Sequence, residues 1–230
     1  MRRSGFLALA ALASCARPEA APSSVAPGTL PPVRIAALGD SLAFGTGAST
    51  PENGFIFRAF ERVRRERPDS EIDNFAMGGS TAADVLRLQV ARLRRRFDVV
   101  IICVGGNDVL RRVDPVTFGA TYARLIAAVR RLQPQAQIVC CGVPNVGRSP
   151  LFGGPEAGAI SALARADDAQ VRSVVRREHA AFVDLYAVTS IRHADESRFL
   201  SDDRFHPSDD GYATFANALV PVVLRAADRR

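Results

Sequence analysis

The sequence predicts an α/β fold in which a parallel sheet is covered by helices on both faces. Three observations carry that expectation. Short apolar runs alternate with longer helical patterns, no apolar run is long enough to span a bilayer, and about two hundred residues form the body, which suits one domain with one sizeable core.

The first strand is predicted over 33–38, where Val33-Arg34-Ile35-Ala36-Ala37-Leu38 runs into Gly39-Asp40-Ser41-Leu42. A helix follows over 54–67, with Arg62, Arg64, Arg65 and Arg67 on its solvated face. The second strand, 71–76, leads into the paired glycines Gly78 and Gly79, and a helical pattern over 81–96 ends in Arg94-Arg95-Arg96. The third strand, 98–104, holds the most apolar run, Val99-Val100-Ile101-Ile102-Cys103-Val104, and opens into Gly105-Gly106-Asn107-Asp108. After a helix over 115–133, the fourth strand covers 136–143. A long loop is expected next, punctuated by Val143-Pro144-Asn145-Val146-Gly147 and Phe152-Gly153-Gly154-Pro155. Leu151 and Phe152 in that loop either line a pocket or pack on their own domain. A helix over 160–179, a fifth strand over 181–185 and a last helix over 209–227 complete the pattern.

Ser41 stands where a buried strand delivers a hydroxyl to a surface turn, and such a hydroxyl acts as a nucleophile when given a base, an orienter and oxyanion donors. Asp203-Arg204-Phe205-His206-Pro207 offers the first two. Pro207 biases His206 away from helical angles, and Asp203, three residues back, can accept the imidazole N–H and fix its tautomer. Donors are suggested by the backbone at Gly78 and Gly79 and by the neutral amide of Asn107. Asp40 and Asp108 are read as holding their loops through local backbone N–H groups, and Asp202 as a rival orienter at the wrong offset. Each block alone is an ordinary turn. Their order, each at the end of a strand or just before the last helix, is the signal.

On those four blocks the chain resembles the GDSL, or SGNH, hydrolase superfamily: Gly-Asp-Ser-Leu at 39–42, a glycine after the second strand, Gly-Gly-Asn-Asp at 105–108 and Asp-x-x-His at 203–206. The resemblance spans residue 33 to about 225 and implies a flavodoxin-like three-layer α/β/α sandwich with a central parallel five-stranded sheet. It implies Ser41 as nucleophile, His206 as base and Asp203 as its orienter. The oxyanion hole would be the N–H of Ser41, the N–H of Gly79 and the Asn107 side chain. The implied activity is carboxylic ester hydrolysis on a small-molecule or lipid ester, with no cofactor. A carbohydrate O-deacetylase is the alternative. A surface binding module that has lost catalysis is a third reading, which the intact set of four blocks argues against.

The N-terminus reads as an export signal over 1–14: Met1-Arg2-Arg3 is a positive start, and residues 6–13 are a short apolar stretch followed by small residues. Leu12-Ala13-Ser14-Cys15 resembles the lipobox of bacterial lipoprotein precursors, which implies lipidation at Cys15. A plain signal cleaved elsewhere is the other reading. Residues 15–32 are then a lipid-anchored flexible tether, rich in Ala, Pro and Ser, with the catalytic domain over 33–230. The expected location is the bacterial cell envelope, on the outer-membrane or periplasmic side in a diderm host.

Net charge is +6 and every basic residue is arginine. The clusters at 62–67 and 92–96 lie on amphipathic patterns and are read as solvated faces, although an anionic membrane surface would also attract them. No nucleic-acid module is present and no obligate protein partner is inferred. Cys140 and Cys141 point to opposite faces, so at most one approaches Cys103. Export permits that disulfide, and the apolar runs favour buried thiols. His179 and His193 lack partners at metal-ligand spacing, so no catalytic metal is expected.

Overall fold

A computed structural model describes residues 30–191 and 196–229. The signal segment, Cys15, most of the tether and His193 lie outside the described residues.

Along the chain, β1 (Arg34–Gly39) is followed by a short α1 (Ser41–Phe44) and α2 (Phe55–Glu66). Next come β2 (Glu71–Asn74), α3 (Ala82–Asp84), β3 (Val99–Cys103), α4 (Gly106–Leu110) and α5 (Pro115–Leu132). The chain then forms β4 (Gln137–Cys141), α6 (Gly154–Arg177), β5 (Ala181–Val183), α7 (Leu185–Ser190) and α8 (Asp209–Asp228). The five strands form one sheet in the order β2-β1-β3-β4-β5, and every pair is parallel. That is the flavodoxin-like order, with helices on both faces.

Residue alternation assigns the faces. Ile35, Ala37, Val99, Ile101, Cys103, Val139 and Cys141 pack under α2 and α8, with Phe55, Tyr212 and Phe215 filling that side. Ala36, Leu38, Val100, Ile102, Ile138 and Cys140 pack under α5 and α6, with Phe118, Tyr122 and Leu125. Both faces are buried, which is why these strands read as continuous apolar runs. Cys103, Cys140 and Cys141 are all buried free thiols, and Cys140 and Cys141 lie in opposite cores. All five strands and both cores fall between Val33 and Ala227, so residues 30–230 contain a complete folding unit.

Three features differ from the sequence expectation. The predicted helix over 81–96 is a broken spiral: α3, a π turn over Val85–Gln89 and a 3-10 turn over Val90–Arg92. Helix α6 begins at Gly154 rather than residue 160, because Pro155 fits the first turn, where no backbone N–H is required. The short helices α1, α4 and α7, absent from the expectation, each open directly after a strand.

Strand order reverses at β1, which lies between β2 and β3 while the chain departs to opposite sides of the sheet. A crevice opens there at the carboxyl ends of the strands. Ser41 follows β1 and Asn107 follows β3, so both line it.

Candidate active site

Ser41 is the first residue of α1. Asp40 caps that helix with its carboxylate, accepting the Leu42 N–H at 3.0 Å. The N–H of Ser41 is one of the orphan donors of a helix start. Asp40 is buried, and desolvation, opposed by the Leu42 N–H and reinforced by the charge of Asp108, pushes its carboxyl up to about 7.

His206 arrives from the far end of the sequence. Its Nε2 lies 2.8 Å from Ser41 Oγ, and its Nδ1 lies 2.5 Å from Asp203 Oδ2. The other carboxylate oxygen of Asp203 accepts the Ser201 hydroxyl at 2.8 Å, the Phe205 N–H at 2.9 Å and the His206 N–H at 2.8 Å. Desolvation opposes ionisation of Asp203, but the imidazole and these three donors outweigh it and hold the carboxyl well below the usual carboxylate range. The segment is a tight loop: Ser201 N–H donates to the His206 carbonyl at 2.9 Å, and Leu200 bridges Pro207. Asp202 is exposed, with the imidazole held by its neighbour.

The loop between α1 and α2 presses the two parts together. Tyr212 Oη donates to the Thr46 carbonyl at 2.7 Å, and Asp209 accepts from Ser49 N at 2.8 Å and Ser49 Oγ at 2.6 Å. Gly47, at φ +92°, comes so close that a Cβ there would stand 2.7 Å from the Pro207 carbonyl oxygen and 2.9 Å from His206 Cβ.

The second and third blocks are joined to each other and to β1. Met77–Ser80 is a β-turn closed by Ser80 N–H on the Met77 carbonyl at 3.3 Å, with Gly79 at φ +76° in its third position. That closure uses neither the Gly78 nor the Gly79 N–H, and Gly78 is turned toward Ser41, so that a Cβ at Gly78 would lie 4.0 Å from Ser41 Cβ. Asn107 Nδ2 donates to the Ser80 carbonyl at 3.1 Å, and an Arg111 guanidinium donates to the Gly79 carbonyl at 3.0 Å. Asp108 Oδ2 accepts the Ala82 N–H at 3.0 Å, so its bond crosses to the second block instead of staying local. Desolvation, offset in part by that N–H, moves its carboxyl up to about 6.

Gln89 was not singled out by sequence reasoning. It is fully buried; its Oε1 accepts the Gly39 N–H and its Nε2 donates to the Gly39 carbonyl, both at 2.8 Å, with Ser80 Oγ at 3.2 Å. The amide thus fixes the residue at the end of β1 and the turn beside it, and the π turn ends on this residue. The available signal was a glutamine between Leu86, Val90 and Leu93 on a core-facing pattern. Asn74 acts similarly, donating to the Ala43 carbonyl at 2.8 Å and accepting the Ala76 N–H at 3.1 Å.

Beside Ser41 and Asn107 opens a cavity of about 140 Å³, walled mainly by Leu110, Val146, Val188, Phe199, Phe205 and Phe215. Leu151 is exposed and outside this wall. Phe152 stands behind it, edge-on to Phe205 with ring centroids 6.5 Å apart, and Phe205 is edge-on to His206 at 5.1 Å. Among the described residues, no group of three or more His, Cys, Asp or Glu is placed to hold a metal ion, and no helix is long and apolar enough to cross a membrane.

The model of the GDSL-like Lipase/Acylhydrolase family matches residues 37–214. Comparison with curated proteins finds no match. Among solved structures, a lipase from a goat rumen metagenome aligns with a TM-score of 0.67 at 20% identity, over 83% of this chain and 97% of its own. The psychrotrophic esterase EstA from Pseudoalteromonas sp. aligns at 0.64 and 15% identity, over 85% and 99%. An acetyl xylan esterase from Geobacillus stearothermophilus aligns at 0.62 and 19% identity, over 85% and 96%. At these identities the likeness is one of fold.

Proposed function

The chain belongs to the GDSL-like lipase/acylhydrolase family, and on that premise we propose that it is a serine ester hydrolase acting on short acyl esters through Ser41, His206 and Asp203. The observation that carries the reading is the unbroken chain from Asp203 Oδ2 through the imidazole to Ser41 Oγ, ending at the mouth of an apolar cavity.

In this mechanism His206 Nε2 takes the Ser41 proton while Oγ attacks the ester carbonyl carbon. The negative charge on the carbonyl oxygen is met by the N–H of Ser41, the N–H of Gly79 and the Asn107 amide. Asp203 keeps the Nδ1–H tautomer and stabilises the imidazolium. The imidazolium returns its proton to the departing alcohol, leaving an acyl-serine. Water, deprotonated by the same imidazole, then attacks the acyl-serine, and the imidazolium returns that proton to Ser41 Oγ as the acid is released.

The cavity supports acyl chains longer than acetyl. An apolar cavity of about 150 Å³ admits benzene, so 140 Å³ suits roughly four to six carbons. An enzyme of acetylated glycans has no need of such a wall, and the carbohydrate deacetylase stays the competing reading. Export and attachment through Cys15 belong to the proposal and rest on the sequence of the first fifteen residues.

Hydrolysis of p-nitrophenyl esters from acetate to palmitate tests the reading. Rates are expected to peak at butyrate to hexanoate. A maximum at acetate, with activity on acetylated xylan, would favour the deacetylase. A fluorophosphonate probe should label Ser41, and S41A should lose label and turnover while unfolding at the wild-type temperature. An S41A protein with most of its activity would remove Ser41 from the mechanism.

A further inference from the structure

Charge is segregated along the strand axis. At the end where the strands begin, the segments 30–34, 63–71, 90–99, 129–137, 174–181 and 225–229 hold fourteen arginines and six carboxylates. At the catalytic end, the segments 40–58, 75–84, 104–117, 142–157, 184–191 and 197–212 hold six arginines and eleven carboxylates. A parallel sheet gathers the helix C-termini at one end, and arginines in those last turns complement the helix dipoles. Arg94, Arg95 and Arg96 have a different setting. They are exposed in the connection between the broken spiral and β3, so helix complementation does not account for them.

The chain enters the fold at this same end. Leu30 N–H donates to the Glu66 carbonyl at 3.0 Å, and the buried Arg67 guanidinium donates to the Pro31 carbonyl at 2.7 Å and pairs with Asp228. Ser41 lies across the six-residue β1, about 20 Å away. The described chain therefore begins, at Leu30, on the end opposite the catalytic mouth.

We propose that the arginine-rich end docks on an anionic lipid surface and holds the catalytic mouth away from it. Attraction at one end and repulsion at the acidic other end give a single favoured orientation within about a Debye length of the bilayer. The substrate then arrives from the aqueous side rather than from the bilayer beneath. The docking stands on charge and chain path alone; the direction of the mouth rests on the Ser41 reading.

The test uses residues 30–230, which contain the whole sheet and both cores, and so lack any lipid. Co-sedimentation with phosphatidylglycerol vesicles is expected, and should be lost at high salt and absent with pure phosphatidylcholine. R94E/R96E leaves the Arg95 pairs with Glu71 and Asp73 in place, and should weaken binding at least 25-fold, about fivefold for each arginine. R112E, at the catalytic end, should not weaken it. Vesicle-bound protein should hydrolyse a soluble ester as fast as free protein. The proposal fails if anionic vesicles are not preferred, if R94E/R96E binds like wild type, or if DNA or heparin binds more tightly than vesicles. It also fails if docking blocks hydrolysis of the soluble ester. A domain that docks but never hydrolyses an ester in solution defeats the hydrolase reading and leaves the docking intact.

Discussion

Asp167 offers the sharpest test of the structure's electrostatics. It is fully buried in α6 between Ala164 and Val171, and neither carboxylate oxygen has a hydrogen-bond partner among the described residues. Desolvation, with smaller contributions from the charges of Asp108 and Asp114, pushes its carboxyl from 3.8 up to about 7. A carboxyl whose folded value is raised binds its proton more tightly in the native state, so native stability falls as pH rises through that value. Once both states are ionised, the difference amounts to about 4 kcal/mol, at 1.36 kcal/mol for each pH decade. At pH 5 the unfolded carboxyl is already mostly ionised, so part of this penalty is present, and it rises by about 3 kcal/mol towards pH 8. D167N replaces a neutral acid with an amide of nearly the same shape that cannot ionise. Urea unfolding of both proteins at pH 5 and pH 8 should show the advantage of D167N growing by about 3 kcal/mol. Parallel pH dependence in the two proteins would refute the reasoning, because it would mean that Asp167 titrates alike in both states.

Three further substitutions probe the candidate site. N107A should lower turnover on p-nitrophenyl butyrate by about 10²–10³ with little change in KM, since the amide meets charge that exists only in the transition state. D203N keeps an acceptor for the Ser201, Phe205 and His206 donors but presents an NH₂ to Nδ1, forcing the wrong tautomer. A loss of about 10⁴ in kcat is expected, with a lowered unfolding midpoint because the charge-assisted bonds are lost, and a loss in kcat under tenfold would deny Asp203 its role. G47A places a methyl group 2.7 Å from the Pro207 carbonyl oxygen, so it should push the His206 loop off Ser41. Its kcat should fall at least as steeply as its stability, and full activity would mean that the loop position is set elsewhere.

Much of this arrangement was legible because two independent codes pointed the same way. Buried parallel strands write themselves as unbroken apolar runs, and the blocks after them need glycine, serine and asparagine for reasons of backbone geometry and charge. The broken spiral was not legible. A helical period is present through Leu86, Val90 and Leu93, and nothing in it reveals that Gln89, at the end of a π turn, reaches the Gly39 backbone. The start of α6 was hidden for a related reason. Glycine and proline at 153–155 mark loops in most settings, yet proline is also suited to a first helical turn. The reach of Asp108 to Ala82 depends on two loops meeting in space, and sequence spacing cannot show it.

The two groups of perturbed carboxylates oppose each other in pH. Asp40, Asp108 and Asp167 have raised folded values, so their support for the native state is complete below the ordinary carboxylate value, near 4, and is withdrawn as pH climbs from there through about 6 to 7. Asp203 is depressed, so the stability it lends is complete above the ordinary carboxylate range, near 4, and is lost only when pH falls through its low folded value. The fold should therefore be most stable near pH 4 as far as these four groups decide it. The loop that carries His206 depends on the ionised Asp203, which keeps all its donors at that pH and above. The turn that carries Ser41 depends on Asp40 accepting the Leu42 N–H, which a carboxyl does through its carbonyl oxygen even when protonated. Ser41 and His206 are thus held together on both sides of the Asp40 titration. Raising the pH from about 4 to about 7 should therefore reduce the stability of the protein before it disturbs the 2.8 Å approach of imidazole to hydroxyl.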